Sequence, residues 1–181
     1  MTINNIKKQF FLETKRFYIR PIKLKEANHN YLGWFTKKNK KYIEDAVDKK
    51  ISINYLKNYT KRNINEKNTL FLAIFNKKNK HIGNIKFLKI NLKRKISNLG
   101  IWIGNSRYLN KGVASETLGK CLEFLFDNNY IKIFELGVAA ENKSAQKLYK
   151  KLGFKVNRKI KSKYYKTVIK MVLKKKNIFK K

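Results

Sequence analysis

The spacing of apolar residues changes period twice between Thr69 and Ala139, and that double change limits the folds open to the chain. Thr69 to Phe75, His81 to Ile90 and Ile96 to Ile103 each have strand character and are separated by Asn-Lys and Lys-Arg turns. Those three segments predict an antiparallel meander. From Gly112 to Asn128 the inward positions recur every three or four residues, at Val113, Thr117, Leu118, Cys121, Leu122, Leu125 and Phe126, which predicts a helix. Ile131 to Ala139 then returns to alternation. A strand-helix-strand unit therefore follows the meander.

The flanking segments extend this pattern. Lys15 to Ile22 alternates and ends at Pro21, as a first strand of a sheet can. Leu24 to Phe35 and Ile51 to Asn63 are predicted helices, the second with Ser52 near its start and Ile51, Tyr55, Leu56 and Tyr59 on one face. Asn142 to Leu152 is a further helix closed by Gly153, and closing strands are expected from Phe154 and from Tyr164. No repeat and no interdomain linker is visible. The expectation is one domain over residues 1–181, with its core at about 15–173 and a basic tail at 174–181.

Hydrophobic residues make up 43% of the chain, enough for a real core at this length. No apolar run approaches the roughly 20 residues of a membrane span, and Met1 to Phe11 holds no signal-like apolar stretch, so a soluble cytoplasmic protein with no membrane partner is expected. Cys121 is the sole cysteine. It cannot form an internal disulfide, and with His29 and His81 it cannot assemble a Cys/His metal cluster, so no metal is expected. The formal net charge of +34 invites a nucleic-acid partner. Arginine, the residue suited to bidentate base and phosphate contacts, occurs only at positions 16, 20, 62, 94, 107 and 158. The remaining cations are lysines scattered through every segment, alongside abundant asparagine and isoleucine, a combination that AT-rich coding accounts for. A nucleic-acid surface is therefore not the favoured reading, although the net field attracts anions, a nucleotide cofactor's phosphates among them. Nothing in the sequence sets an oligomeric state.

Three segments carry chemical content. In Ile96-Ser-Asn-Leu-Gly-Ile-Trp-Ile-Gly104, Gly100 weakens the strand unless a bulge or a close backbone approach is wanted there, and a bulge would splay the strand from its neighbour and free backbone groups for a peptide-like ligand. A flexible but ordinary strand is the alternative. Arg107-Tyr-Leu-Asn-Lys-Gly-Val-Ala-Ser-Glu116 feeds straight into a helix, and small residues at Gly112, Ala114 and Ser115 let a pyrophosphate approach the first-turn amides. Close helix packing is the alternative there. In Asn142 to Phe154, Asn142 caps the helix and Tyr149 lies two turns along the same face, so both side chains can meet one ligand. A capped amphipathic helix with a buried tyrosine explains that segment equally well.

The order and spacing of these segments resemble a known family. Leu109-Asn-Lys-Gly-Val-Ala114 is similar to the acetyl-CoA signature Gln/Arg-x-x-Gly-x-Gly/Ala of the GNAT N-acetyltransferases, and Asn142-x-x-Ala-x-x-x-Tyr-x-x-x-Gly-Phe154 resembles that family's next motif. Arg16 to Ile22, His81 to Lys86 and Tyr108 to Glu116 look like the RimJ/RimL-type branch. The resemblance implies an α/β (α+β) fold in which a mixed, mostly antiparallel sheet flanked by helices is parted at its centre in a V. It also implies an acetyl-CoA-dependent enzyme with acetyl-CoA as cosubstrate and direct attack by the acceptor amine. Transferred by position, Ile101 and Ile103 would hold the pantetheine and thioester through their backbone. Asn110, Lys111, Gly112, Val113, Ala114 and Ser115 would hold the pyrophosphate. Asn142 would meet the pantetheine arm, and Tyr149 would bind there and protonate the departing thiolate as the catalytic acid.

Two positions depart from the pattern. Asn110 stands where glycine is usual, beside a Leu109 that is common in the RimJ/RimL-type branch. Asn98 stands where many members have a glutamate general base, and a carboxamide cannot take the proton. Three readings stay open: a water chain suffices, the acceptor amine has a low pKa, or another group serves, with Glu135, Glu141, Glu116 and His81 as candidates, of which Glu116 and Glu135 read equally well as structural ion-pair partners. The acceptor is expected to be a small-molecule amine carrying negative charge, such as a nucleotide-linked amino sugar, with Trp34 and Phe35 in its pocket; a Trp34 that closes the core between the first two helices is the equal alternative. Tyr31 to Phe35 and Leu136 to Asn142 look like members from surface-carbohydrate pathways. A protein N-terminal acetyltransferase of the ribosomal kind is the alternative within the family, and a non-catalytic basic nucleic-acid module the alternative outside it.

Overall fold

The computed structural model describes residues 2–36, 40–43 and 50–175. One eight-stranded sheet runs through them, built from β1 (Leu12–Glu13), β2 (Phe17–Pro21), β3 (Leu70–Asn76), β4 (His81–Asn91), β5 (Ile96–Ile103), β6 (Ile133–Ala139), β7 (Lys155–Ile160) and β8 (Val168–Lys174). The strands lie in the order β1-β2-β3-β4-β5-β6-β8-β7, and β5 against β6 is the one parallel pair among the described residues. That parallel pair flanks helix α4 (Val113–Asp127), the crossover predicted from the double change of period. The mixed, mostly antiparallel sheet agrees with the expected fold class.

Helices cover both faces. On one side α4 buries Leu118, Leu122, Leu125 and Phe126 against Leu72, Ile85 and Phe134 of the sheet, with Phe126 and Phe134 edge to face at 5.0 Å. Cys121 belongs to this core; burial pushes its thiol pKa well up, so it packs and does not react. Helix α1 (Ile3–Gln9), capped by the Thr2 hydroxyl, seals the same side with Ile3 and Ile6. On the opposite face α2 (His29–Leu32) and α3 (Ile53–Asn65) hold a second core of Ile22, Tyr31, Trp34, Leu56, Phe71 and Phe75. β3 lies between the two cores, so Leu70 to Phe75 are all buried and its sequence is continuously apolar.

Several boundaries differ from expectation for local reasons. The helix predicted from Leu24 to Phe35 is a 3-10 turn at Leu24–Glu26 followed by the single turn of α2, because Asn28 takes an extended backbone and its side chain caps Tyr31. The buried Glu26 carboxylate, bonded to Arg20 and to the Lys23 amide, fixes the break. β8 continues to Lys174, and Lys175 bonds Lys132 and Phe126, so the expected tail has its first two residues in ordered structure. Residues 176–181 lie outside the described residues. Among those described, no helix is long and apolar enough to cross a membrane.

Candidate active site

The centre of the sheet parts where the sequence points to a splay, but not by the expected device. β4 and β5 stay in register through Gly100, which faces Lys86, and the register shift in that pair lies between Leu88 and Asn91. Gly100 therefore forms no bulge. The opening is on the other side of β5: its parallel ladder with β6 holds for Ile96↔Ile133, Ser97↔Phe134 and Asn98↔Glu135 and then stops. Beyond Asn98, β5 keeps its partner β4 and β6 keeps its partner β8. Leu99–Ile103 and Leu136–Ala139 thus border a V whose inner edges carry backbone groups with no strand between them.

Helix α5 (Lys143–Lys151) supplies the wedge. Asn142 caps it by accepting from the Ala145 amide at 3.2 Å, and Gln146 donates to the Ala139 and Ala140 carbonyls, tying the helix to the end of β6. That anchor aims Tyr149 into the gap. Its ring packs against Phe154, which returns after the left-handed Gly153 (φ 89°), and its hydroxyl is hydrogen-bonded to the Ile101 backbone. Burial pushes the Tyr149 pKa up to about 12 while the bond to Ile101 pulls it back, so the hydroxyl carries its proton at neutral pH.

The wide end of the V meets the start of α4. Gly112 is the N-cap in the left-handed region (φ 73°), and no side chain caps the helix there, leaving the first-turn amides to another acceptor. Asn110 takes the same region (φ 57°), which asparagine tolerates better than most other non-glycine residues. Lys111 is exposed, Ala114 and Ser115 are half-buried, and Val113 turns into the core. Glu116 in this first turn opposes an incoming anion, and Arg16 offsets it: the Arg16 guanidinium pairs with it at 2.7 Å and lies 3.5 Å from where a Gly112 Cβ would stand. Burial raises the Glu116 pKa, but bonds from Thr14 and Arg16 outweigh it and hold the carboxyl below its ordinary range.

On the face away from α4, a cavity of about 290 Å³ opens over Gly100, Ile101 and Trp102. Phe35 lines it together with Tyr31, Tyr55, Tyr59 and Phe71, and Asn84 and Lys86 bring polar atoms. The Lys86 ammonium bonds the Tyr59 hydroxyl and lies over the Tyr59 and Phe71 rings. Trp34, expected in this pocket, does not line it. It is 4% exposed, its ring lies tilted against His81 at 4.7 Å and edge to face with Trp102 at 5.7 Å, and it occupies the space a Gly104 side chain would need. The tryptophan braces the end of β5 and backs two walls of the pocket, Tyr31 at 4.8 Å and Trp102. His81 is buried and bonded to Asn84 at 2.9 Å; burial lowers its pKa, which leaves it neutral.

Sequence reasoning missed most of this cavity. Tyr55 and Tyr59 lie on the predicted α3 stripe, where an aromatic residue signals burial as readily as a ligand wall. Asn84 and Lys86 carried a signal that could have been used: two polar residues on one face of the strand, set among the apolar Ile82, Ile85, Phe87 and Leu88.

The chain's likenesses agree with this geometry. The family model for the acetyltransferase (GNAT) domain matches residues 16–155. Among solved structures, a GNAT-family acetyltransferase from Bacillus anthracis superposes with a TM-score of 0.77 at 21% identity, over 92% of this chain and 99% of the other. Spermidine N-acetyltransferase from Vibrio cholerae, solved with CoA and spermine, gives 0.80 at 17% identity over 91% and 99% of the two chains. An acetyltransferase from Salmonella typhimurium that modifies the N-terminal serine of ribosomal protein L7/L12 gives 0.77 at 15% identity over 89% and 96%. No curated protein matches the sequence.

Proposed function

Because the chain belongs to the GNAT acetyltransferase family, we propose that it carries an acetyl group from acetyl-CoA straight to the primary amine of a small molecule, as a single cytoplasmic domain of the RimJ/RimL-type branch. The observation that carries this reading is the end of the β5-β6 ladder at Asn98↔Glu135, between an uncapped helix start on one side and an aromatic cavity on the other. A pantetheine arm has peptide-like amides, and the inner edges of the V offer it backbone partners at Ile101 and Ile103 and the Asn142 side chain at the wide end. The pyrophosphate fits the amides from Asn110 to Ser115, where the helix dipole and the Arg16-Glu116 pair leave no net opposing charge.

The thioester supplies the activated acetyl group. This chain's residues orient it and manage the protons: the Ile101 backbone sits at the gap where the acyl group would lie, and Tyr149, protonated at neutral pH, donates to the sulfur as it leaves. The acceptor would enter from the opposite face, between Phe35 and Trp102, over Gly100. The size of that cavity suits a small amine, and flat aromatic walls suit the C-H face of a sugar ring, as in a nucleotide-linked amino sugar. Thiol release from acetyl-CoA, measured with amino sugars, nucleotide-linked amino sugars, spermidine and short peptides, tests the reading. Turnover of a small amine is expected. Release with peptides alone, or with none of the panel, would defeat it.

A further inference from the structure

The proposed reaction needs a group to take the proton that the acceptor nitrogen gives up, and position 98 holds a carboxamide. Asn98 is nevertheless the Cα partner of Glu135 in the last pair of the parallel ladder, and neighbouring strands lie about 4.8 Å apart. Paired residues share a face, so both side chains stand on the acceptor side of the sheet, at the vertex of the V. They line one hollow of about 100 Å³. The aromatic cavity begins at Gly100, the next residue on that face of β5, roughly 7 Å along the strand. The two hollows therefore flank the point at which an amine entering over Gly100 meets the gap.

The other acids and bases near the site are committed or distant. Glu116 is held by Arg16 at the start of α4. Glu26 is paired with Arg20. His81 is buried against Asn84, and Glu141 is exposed in the turn at the wide end of the V. Glu135 is exposed to solvent and, among the described residues, takes part in no ion pair. Asn98 faces it from β5, Arg158 and Asn157 from β7, and Lys170 from β8, with the Lys170 ammonium leaning over Gly137 two residues along β6.

We propose, on the footing of the acetyl-transfer reading, that Glu135 is the general base, the carboxylate of position 98 having been replaced by one a single strand away. As the neutral amine attacks, its N–C bond forms and the C–S bond breaks. The bonding pair goes to sulfur, which takes the Tyr149 hydroxyl proton. The nitrogen's proton passes to the Glu135 carboxylate, directly or through one water held by Asn98, and from there to solvent, while Tyr149 recovers a proton from solvent. Amine and thioester thus become amide and thiol with no net proton change.

The test is the pH dependence of kcat for wild type, Glu135→Gln, and Glu135→Gln carrying Asn98→Glu, with acetyl-CoA binding followed by calorimetry in each. Glu135→Gln should bind acetyl-CoA like wild type and lose roughly 100-fold in kcat at pH 7, the low end of a general-base contribution. The loss should shrink as pH rises and hydroxide takes over. Adding Asn98→Glu should restore at least about tenfold, since it returns a carboxylate to the same hollow. A kcat within about threefold of wild type, a loss that is the same at every pH, or no restoration by Asn98→Glu would each overturn the assignment. If none of the amines in the panel makes wild type release thiol, the acetyl-transfer reading falls and the assignment with it.

Discussion

Gly100 separates the account of the fold from the account of the site. It lies in the middle of β5, outside the left-handed region, and no atom stands within 4 Å of where a Cβ would be. Replacing it with valine therefore meets no clash. Glycine inside a strand costs about 0.5–1 kcal/mol relative to alanine, and a β-branched residue suits a pleated half-buried surface still better. Gly100→Val should raise stability by that amount, and at about 2–4 °C per kcal/mol the melting temperature should rise by a few degrees. The same side chain would project into the 290 Å³ cavity from its floor, in the path of the acceptor. Obstruction by one methylene in a fitted pocket is worth about 1–3 kcal/mol, so three added carbons place the loss of kcat/KM for the amine at roughly 100-fold or more. Acetyl-CoA affinity should hold, because that face of β5 is turned away from α4. Paired melting curves, calorimetry with acetyl-CoA and steady-state thiol release decide the matter. A variant that melts lower, or one that acetylates every amine as well as wild type, would refute the reasoning.

The remaining predictions concern the V and its rim. Tyr149→Phe keeps the ring packing against Phe154 and should retain acetyl-CoA affinity while kcat falls roughly ten- to a thousandfold in steady-state assays, since only the proton donor is lost. Gly112→Val forces a β-branched residue to φ 73°, at a cost of about 1–2 kcal/mol or more, and should weaken acetyl-CoA binding by calorimetry. Glu116→Gln should lower the melting temperature at neutral pH. The folded Glu116 pKa lies below its ordinary 4.5, so the stability it contributes is complete above that value and disappears as pH falls through the depressed one; the melting curves of wild type and variant should converge in acid.

Local pattern made most of the fold legible, and the failures have identifiable physical causes. The helix over Gly112 to Asn128 announces itself through an unbroken period and the strand over Ile96 to Ile103 through its apolar residues and bounding turn, and the structure places them within one residue of those bounds. α1 was missed because Ile3 and Ile6, capped by Thr2, give one turn of spacing and no more. The splay was located but given the wrong cause: an isolated strand glycine reads as a bulge, whereas here the ladder ends because β5 and β6 are each held by an outer partner and Tyr149 occupies the gap. Ladder ends are set by pairings far apart in sequence. The aromatic cavity was least legible for the same reason, since its wall is shared among five elements, one residue each from α2 and β3 and three each from α3, β4 and β5, and Trp34, the residue that drew notice, packs against Gly104 behind it.

The most direct test of the central claim is a crystal structure of the protein with CoA bound. The account predicts a pantetheine arm between Leu99–Ile103 and Leu136–Ala139, pyrophosphate oxygens on the amides from Asn110 to Ser115, and the sulfur roughly 3–3.5 Å from the Tyr149 hydroxyl, within reach for proton transfer. CoA bound elsewhere, or a sulfur beyond hydrogen-bond reach of Tyr149 with the gap between β5 and β6 closed, would contradict it.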